Sequence, residues 1–311
     1  MEKVTVTGGA GFIGSHLVKY WSDNDYFVEI IDNLRSGYEK NIAGIKNVKL
    51  NKVSITEREK VAGIVEGSKY VFNLAAMISV PESMTNPVEC VDINVLGLIN
   101  VLDAAKNGGV EKVIHSSSAA VYGDDPELPK RTEMRPNPKS PYGITKLDGE
   151  YYLNMYSDFY GLKTTSLRYF NVFGPGQDPK SQYAAAIPIF VYKAMKNEDI
   201  TIFGDGEQTR DFVYVEDVVQ ANVRAAESPV KSGVFNVANG DTITIKELAE
   251  QIIKYTNSKS KINFAPERPG DIKHSKAFIE DTKKTLNFIP ECLLEEGLKN
   301  TVKYFTEIME K

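Results

Sequence analysis

Cysteine is scarce in this chain of 311 residues: Cys90 and Cys292 are the only two, and they stand far apart. That excludes a disulfide scaffold and fits a reducing cytoplasm. Histidine is nearly as rare, and His16, His115 and His274 lie at no metal-ligand spacing, so no metal is expected. No apolar run approaches a membrane span, and the expectation is a cytoplasmic protein without a membrane partner. Positive charge is not in excess either. Lysine and arginine number 37 against 42 acidic residues, a net charge of −5, which argues against a nucleic-acid partner. Local basic residues remain free to clamp a small anion. What is present is ordinary for a globular chain, 42% hydrophobic and 25% charged, long enough for one large domain or two closely packed ones.

The β-branched run Val4-Thr5-Val6-Thr7 leads into Gly8-Gly9-Ala10-Gly11-Phe12-Ile13-Gly14 and then a helical pattern. Strand, glycine turn and helix form the setting in which a backbone can approach a pyrophosphate at a helix N-terminus. A second strand, 27–31, ends in Asp32, placed to accept from the ribose hydroxyls of an adenosine. A carboxylate there repels a 2′-phosphate and favours NAD over NADP; Arg35 is the competing signal, a cation able to pair with that phosphate. Alternation continues with strands at 48–53, 70–75, 110–115 and 163–169 and helices at 56–65, 86–107 and 141–160. This pattern predicts a doubly wound parallel sheet, an α/β fold. Ser116-Ser117-Ser118 are expected at the C-terminal end of their strand, where ligands bind in open α/β sheets.

Within the 141–160 helix, Tyr142 and Lys146 fall one turn apart on one face. A phenol titrates near ~10, and bringing it to about 7 takes roughly 4 kcal/mol of support for phenolate, which a fixed cation supplies. After Asn171 the pattern changes: Gly174-Pro175-Gly176 and Pro179 break it, and shorter elements follow. These include a helix from 184 to 197, strands at 200–203 and 233–237, and a helix from Thr244, where Thr-x-x-Glu is a capping box. A charged amphipathic helix, 291–311, ends the chain.

In this order, Gly8-x-x-Gly11-x-x-Gly14, Asp32-Asn33, Leu74-Ala75-Ala76, Asn94, Ser117-Ser118, Tyr142-x-x-x-Lys146, Arg168-Tyr169-Phe170-Asn171, Ile202-Phe203-Gly204, Arg210-Asp211 and Arg268-x-Gly270-Asp271 resemble the extended short-chain dehydrogenase/reductase superfamily. The likeness is greatest to its nucleotide-sugar 4-epimerases. It implies a Rossmann-like NAD domain (1–170 with 212–240) and a smaller C-terminal α/β lobe for a UDP-sugar (171–211 with 241–311). It also implies the catalytic set Ser118, Tyr142 and Lys146, with Tyr142 taking the 4-hydroxyl proton, Lys146 keeping it acidic and Ser118 relaying. NAD contacts are implied for Gly8, Gly11, Phe12, Ile13, Gly14, Asp32, Asn33, Arg35, Ser36, Gly37, Ser54, Ile55, Leu74, Ala75, Ala76, Asn94 and Phe170 besides Tyr142 and Lys146. Substrate contacts are implied for Ser79, Asn171, Phe203, Arg210, Arg268, Asp271 and Ser275, together with Ser118 and Tyr142. Ser275, four residues beyond Asp271, borders the sugar C2 substituent by that likeness, and a residue this small leaves room for an N-acetyl group.

Two positions depart from the pattern. Ser54 stands where relatives often carry an adenine-binding Asp, and Asn73 stands where a His is common. Ala119-Ala120 follow Ser118 where sister dehydratases carry Asp-Glu, and Asn171 replaces the Thr of glucuronate-processing relatives. A non-catalytic NAD-sensing protein on the same fold is the rival from another class. Pairing of two copies through helices 87–107 and 141–160, the second rich in Tyr151, Tyr152, Leu153, Met155, Tyr156 and Phe159, is the expected assembly.

Overall fold

The structure, a computed structural model, describes residues 1–179, 185–267 and 272–309. Seven parallel strands form its central sheet. They are β1 (Lys3–Thr7), β2 (Phe27–Ile31), β3 (Val48–Asn51), β4 (Tyr70–Asn73), β5 (Lys112–Ser118), β6 (Lys163–Tyr169) and a strand at Val234–Val237. From β3 the order runs β3-β2-β1-β4-β5-β6 and then Val234–Val237, so the chain reverses direction across the sheet between β1 and β4. Helices α1 (Phe12–Asp23) and α2 (Arg58–Val65) follow β1 and β3. After β4 come α3 (Val80–Thr85) and α4 (Pro87–Val91), which runs through a π-helical turn at Asp92–Leu96 into α5 (Gly97–Asn107). Helix α6 (Pro141–Tyr160) joins β5 to β6.

The next segment builds three two-stranded sheets from β7 (Asn171–Phe173), helix α7 (Ala186–Met195), β8 (Ile200–Phe203), β9 (Thr209–Arg210) and β10 (Phe212–Tyr214) with later partners. Helix α8 (Val215–Glu227) leads back to the central sheet as β11 (Val234–Val237). Then follow β12 (Ile243–Thr244), α9 (Ile245–Tyr255), β13 (Ile262–Ala265), α10 (Glu280–Leu286) and α11 (Leu294–Met309). Parallel pairing joins β7 to β10 and β8 to β13; β9 and β12 pair antiparallel.

The periodic residues fill these layers as their spacing requires. Val4, Val6, Val28, Ile30, Phe72 and Ile114 meet Leu17, Trp21 and Val218 on one face of the sheet. Ile31, Val71 and Val113 meet Leu98, Val101, Leu102 and Leu153 on the other. A separate core of Phe173, Ile187, Ile202, Leu248, Ile252 and Phe305 holds the smaller sheets and their helices. The Thr244 capping box forms in full, with Glu247 Oε2 accepting from the Thr244 N–H and Thr244 Oγ1 from the Glu247 N–H.

Some boundaries shift. The serine cluster is part of β5, which continues through Ser118. Residue 184, where the 184–197 helix was expected to begin, lies outside the described residues, and the described helix α7 ends at Met195. The apolar residues of α6 do not all point outward: Leu153 and Tyr156 are buried in the chain's own core, because α6 packs on β5 and β6, while Tyr151 and Phe159 stay exposed. No helix among the described residues is long and apolar enough to cross a membrane.

Candidate active site

The glycine turn leaves β1 at the point where the strand order reverses. A Cβ on Gly14 would meet the Gly8 carbonyl oxygen at 2.1 Å, and one on Gly8, at φ +70°, would meet the Ala75 nitrogen at 2.8 Å. Only glycines allow the turn, α1 and the Leu74-Ala75-Ala76 segment to close this tightly. Gly11 opens α1 with no side-chain cap, leaving the first-turn amides of that helix to another partner. Phe12 and Ile13 begin the helix, Phe12 edge-on to His16.

Asp32 is buried, its Oδ2 accepting from the Ala10 N–H at 2.9 Å and its Oδ1 from the Leu34 N–H at 2.8 Å. Each oxygen keeps a lone pair. Asn33 and Ser36 are exposed beside it, and Gly37 packs so closely that a Cβ would meet Asp32 Oδ2 at 2.9 Å. Arg35 does not stand free for a phosphate: its guanidinium bonds Glu82 Oε1 at 2.6 Å and also Glu89. Ser54 Oγ hydrogen-bonds Thr56 Oγ1 at 2.8 Å, and Ile55 is buried against Gly97. This cradle of glycine backbone, uncapped helix terminus and carboxylate fits the pyrophosphate and ribose of a dinucleotide.

Asn94 occupies the π-turn. Its Oδ1 accepts from the Met77 N–H at 2.7 Å and its Nδ2 donates to the Met77 carbonyl at 3.1 Å and to Thr145 Oγ1 at 3.0 Å. One side chain thus ties the segment after β4 to the helix carrying Tyr142. Ser79 is buried as the N-cap of α3, its Oγ accepting from the Glu82 N–H.

Tyr142 sits in the first turn of α6, positioned by the Ser140 cap and by its own N–H donating to Ser83 Oγ at 3.2 Å. Its phenol comes near Ser118, at the end of β5, and the Ser118 side chain favours the phenolate. Lys146, 3% exposed, lies one turn on with Nζ 5.7 Å from the Tyr142 ring centre. That Nζ donates to the Ser116 carbonyl at 2.7 Å.

Burial dominates the titration of both groups. Loss of solvent pushes the Tyr142 phenol above its ordinary value, and the Ser118 side chain draws it down. The same loss of solvent brings Lys146 down to about 8. Both charged forms lack water, and the lysine's nearest partner is a carbonyl.

Ser118, Phe170, Asn171, Arg210 and Ser275 come together around a cavity of about 350 Å³. Phe203 lines a neighbouring cavity of about 230 Å³ with Gln208 and Lys273, and Ile272 borders both. Arg268 and Asp271 fall outside the described residues. Lys130, Tyr122 and His274 also line the larger cavity and were not anticipated.

Three further buried groups support it. The Arg168 guanidinium grips Glu150 through two hydrogen bonds of 2.8 and 2.7 Å, and Glu150 also accepts from Ser117. Asp211 accepts backbone N–H bonds from Asn239, Gly240 and Ala277, which fixes the 272–279 segment over the cavity; burial pushes its carboxyl up to about 7. Asn73, unexplained by the sequence, accepts from Thr7 Oγ1 at 2.9 Å and lies 3.2 Å from His115 Nδ1, beneath the floor of the site.

A glycine cradle at a sheet reversal, joined to a Ser-Tyr-Lys cluster beside an open cavity, defines a dinucleotide-dependent enzyme class, and the family profile agrees. The profile of the NAD dependent epimerase/dehydratase family matches residues 4–238. The chain belongs to this family, and its cofactor is NAD.

It is 38% identical over 306 residues to a putative UDP-glucose 4-epimerase of Methanocaldococcus jannaschii, covering 97% of each chain. Its structure superposes on a UDP-N-acetylglucosamine 4-epimerase of Methanobrevibacter ruminantium, solved with UDP-N-acetylmuramic acid, with TM-score 0.95 and 42% identity over 99% of each chain. A UDP-glucose 4-epimerase of Thermus thermophilus, solved with NAD, gives TM-score 0.89 and 35% identity, covering 98% of this chain and 99% of that one. Relatives also include a Bacillus cytotoxicus UDP-N-acetyl-alpha-D-glucosaminuronate decarboxylase at 33% identity, over 99% of this chain and 98% of its own length.

Proposed function

We propose that the protein interconverts UDP-glucose with UDP-galactose and UDP-N-acetylglucosamine with UDP-N-acetylgalactosamine, by epimerising C4 through a transient 4-keto sugar. The observation that carries this reading is Ser118, which shares a cavity wall with Ser275 and favours the phenolate of nearby Tyr142. Bound NAD supplies a reversible hydride acceptor for C4. Tyr142 takes the 4-hydroxyl proton through or beside Ser118, holds it while the keto sugar turns in the cavity, and returns it. Lys146 contributes a buried cation at the cofactor side of the pair.

Gly8, Gly11 and Gly14 bring backbone to the pyrophosphate, and Asp32 takes the adenosine ribose. Asn171 and Arg210 face the diphosphate, where an arginine fork matches phosphate oxygens, and Phe203 stacks on uracil. Domain boundaries at 171, 212 and 241 follow the same division of labour. We assign the reaction to the cytoplasm.

A dehydratase is disfavoured because Ala119-Ala120 offer no acid/base pair beside Ser118. Glucuronate-processing relatives keep alive the reading of a carboxylated sugar, and a non-catalytic NAD sensor would not require the Ser-Tyr-Lys cluster. Two copies pair through α4–α5 and α6, which expose Val88, Leu96, Tyr151 and Phe159. The test offers purified protein UDP-glucose, UDP-N-acetylglucosamine and UDP-glucuronate and identifies the products by NMR, with the mass measured in solution. Turnover of UDP-glucuronate alone, or monomer alone at micromolar concentration, contradicts the corresponding assignment.

A further inference from the structure

The side chain of Arg35, in the segment after β2, reaches the segment that follows β4. It follows β2, whereas its partners Glu82 in α3 and Glu89 in α4 follow β4. Strand β1 lies between β2 and β4, and the glycine turn rises from its end. The two ion pairs therefore join segments that leave the sheet on either side of the strand from which the glycine turn rises.

The tether is fastened further at both ends. Tyr38, three residues on, donates its hydroxyl to Asp178 Oδ2 at 2.9 Å, binding the same segment to the chain beyond β7. Helix α3, which carries Glu82, also accepts the Tyr142 N–H on Ser83 Oγ at 3.2 Å. Glu82 and Ser83 are neighbours, so one short helix links the adenosine-side segment to the first turn of the catalytic helix.

We propose that Arg35, Glu82 and Glu89 form a latch that closes the cofactor cleft and sets how slowly NAD leaves it. The guanidinium fork suits the task because it engages two carboxylates on two helices at once. An enzyme that must get its hydride back in each cycle gains from a cofactor that does not depart between half-reactions. The latch is a property of the cofactor site and holds for any sugar substrate.

Two simpler accounts predict the opposite sign. If Arg35 were itself a pyrophosphate ligand, or if the carboxylates merely repelled the anionic dinucleotide, removing Glu82 and Glu89 would tighten NAD. A latch predicts that it loosens.

The experiment loads wild type, Arg35→Ala, Arg35→Lys and the double variant Glu82→Gln/Glu89→Gln with NAD and removes the excess by gel filtration. Release is then followed by capturing free NAD with an added alcohol dehydrogenase and ethanol, read as NADH absorbance. Melting curves check that each variant is folded; all three side chains lie at the surface, so the fold should survive. Arg35→Ala and the double variant should both release NAD about 3- to 10-fold faster than wild type at low salt, since exposed pairs are individually modest. Arg35→Lys, with charge but no fork, should fall between. Wild-type release should accelerate toward the variants at about 0.5 M salt, where exposed pairs are screened. Slower or unchanged release from the double variant overturns the latch.

Discussion

Ser275→Tyr is the substitution that separates the two sugar pairs most sharply. Ser275 is held by its N–H donating to the Thr209 carbonyl at 3.1 Å, and its side chain borders the cavity of about 350 Å³ that Ser118 also lines. Replacing hydroxymethyl by a phenol fills part of that cavity. A hexose can still fit what remains, whereas an N-acetylhexosamine brings a bulky planar group to the same wall.

Overpacking of this kind costs about 1–3 kcal/mol. At 1.4 kcal/mol per tenfold, that lowers kcat/KM for the N-acetylated pair about 5- to 150-fold relative to the plain pair. The assay is competition: equal UDP-glucose and UDP-N-acetylglucosamine in one tube, with the epimers separated by ion-pair chromatography. A ratio unchanged from wild type, or wild type that never turns over the N-acetylated pair, refutes Ser275 as the gate.

Tyr142→Phe keeps the ring beside Lys146 and removes the proton carrier, so kcat should fall about 10²–10⁴-fold with KM nearly kept; steady-state kinetics on UDP-glucose decide it, and near-normal turnover sinks the mechanism. Glu150→Gln leaves the buried Arg168 charge without its carboxylate, and urea unfolding should show a loss of about 3–5 kcal/mol. Lys146, like Lys112, titrates at about 8 in the fold against an ordinary value near ~10.4. Between those values the unfolded chain binds more protons, so stability should rise with pH through the window from about 8 to about 10. Lys146→Met should reduce that slope, and it should be the more stable protein at pH ~7 by about 1–3 kcal/mol; an unchanged slope means Lys146 keeps an ordinary pKa.

Much of the site was legible because its chemistry is local in sequence. The Gly8–Gly14 spacing demands a turn of one shape, and Tyr142 and Lys146 share a face by helical period alone. Thr244 signals its own helix. What the sequence hid depends on contacts between distant segments. The π-turn at Asp92–Leu96 breaks no hydrophobic period, yet it is where Asn94 reaches Met77 and Thr145. The lysine that was expected to acidify Tyr142 finds the Ser116 carbonyl, thirty residues away.

Arg35 reads as a phosphate receptor until Glu82 and Glu89 are seen beside it. Lys130 enters the site through backbone pairing with Lys276 and Phe278, and Asp211 through its carboxylate accepting the Ala277 N–H, contacts that no periodicity announces. The short strand at Ile262–Ala265 gains its status from pairing with β8, and the six-residue helix α3 is too brief for a periodic signal.

The central claim is that C4 loses and regains the same hydride inside one site. UDP-glucose carrying deuterium at C4 tests it directly: the enzyme is incubated with this substrate in ordinary water with unlabelled NAD in excess, and the UDP-galactose formed is examined by mass spectrometry and NMR. The account predicts that the product keeps its deuterium at C4, with none in solvent or in the free nicotinamide pool. Product that has lost the label, or label accumulating in free NADH, would contradict it.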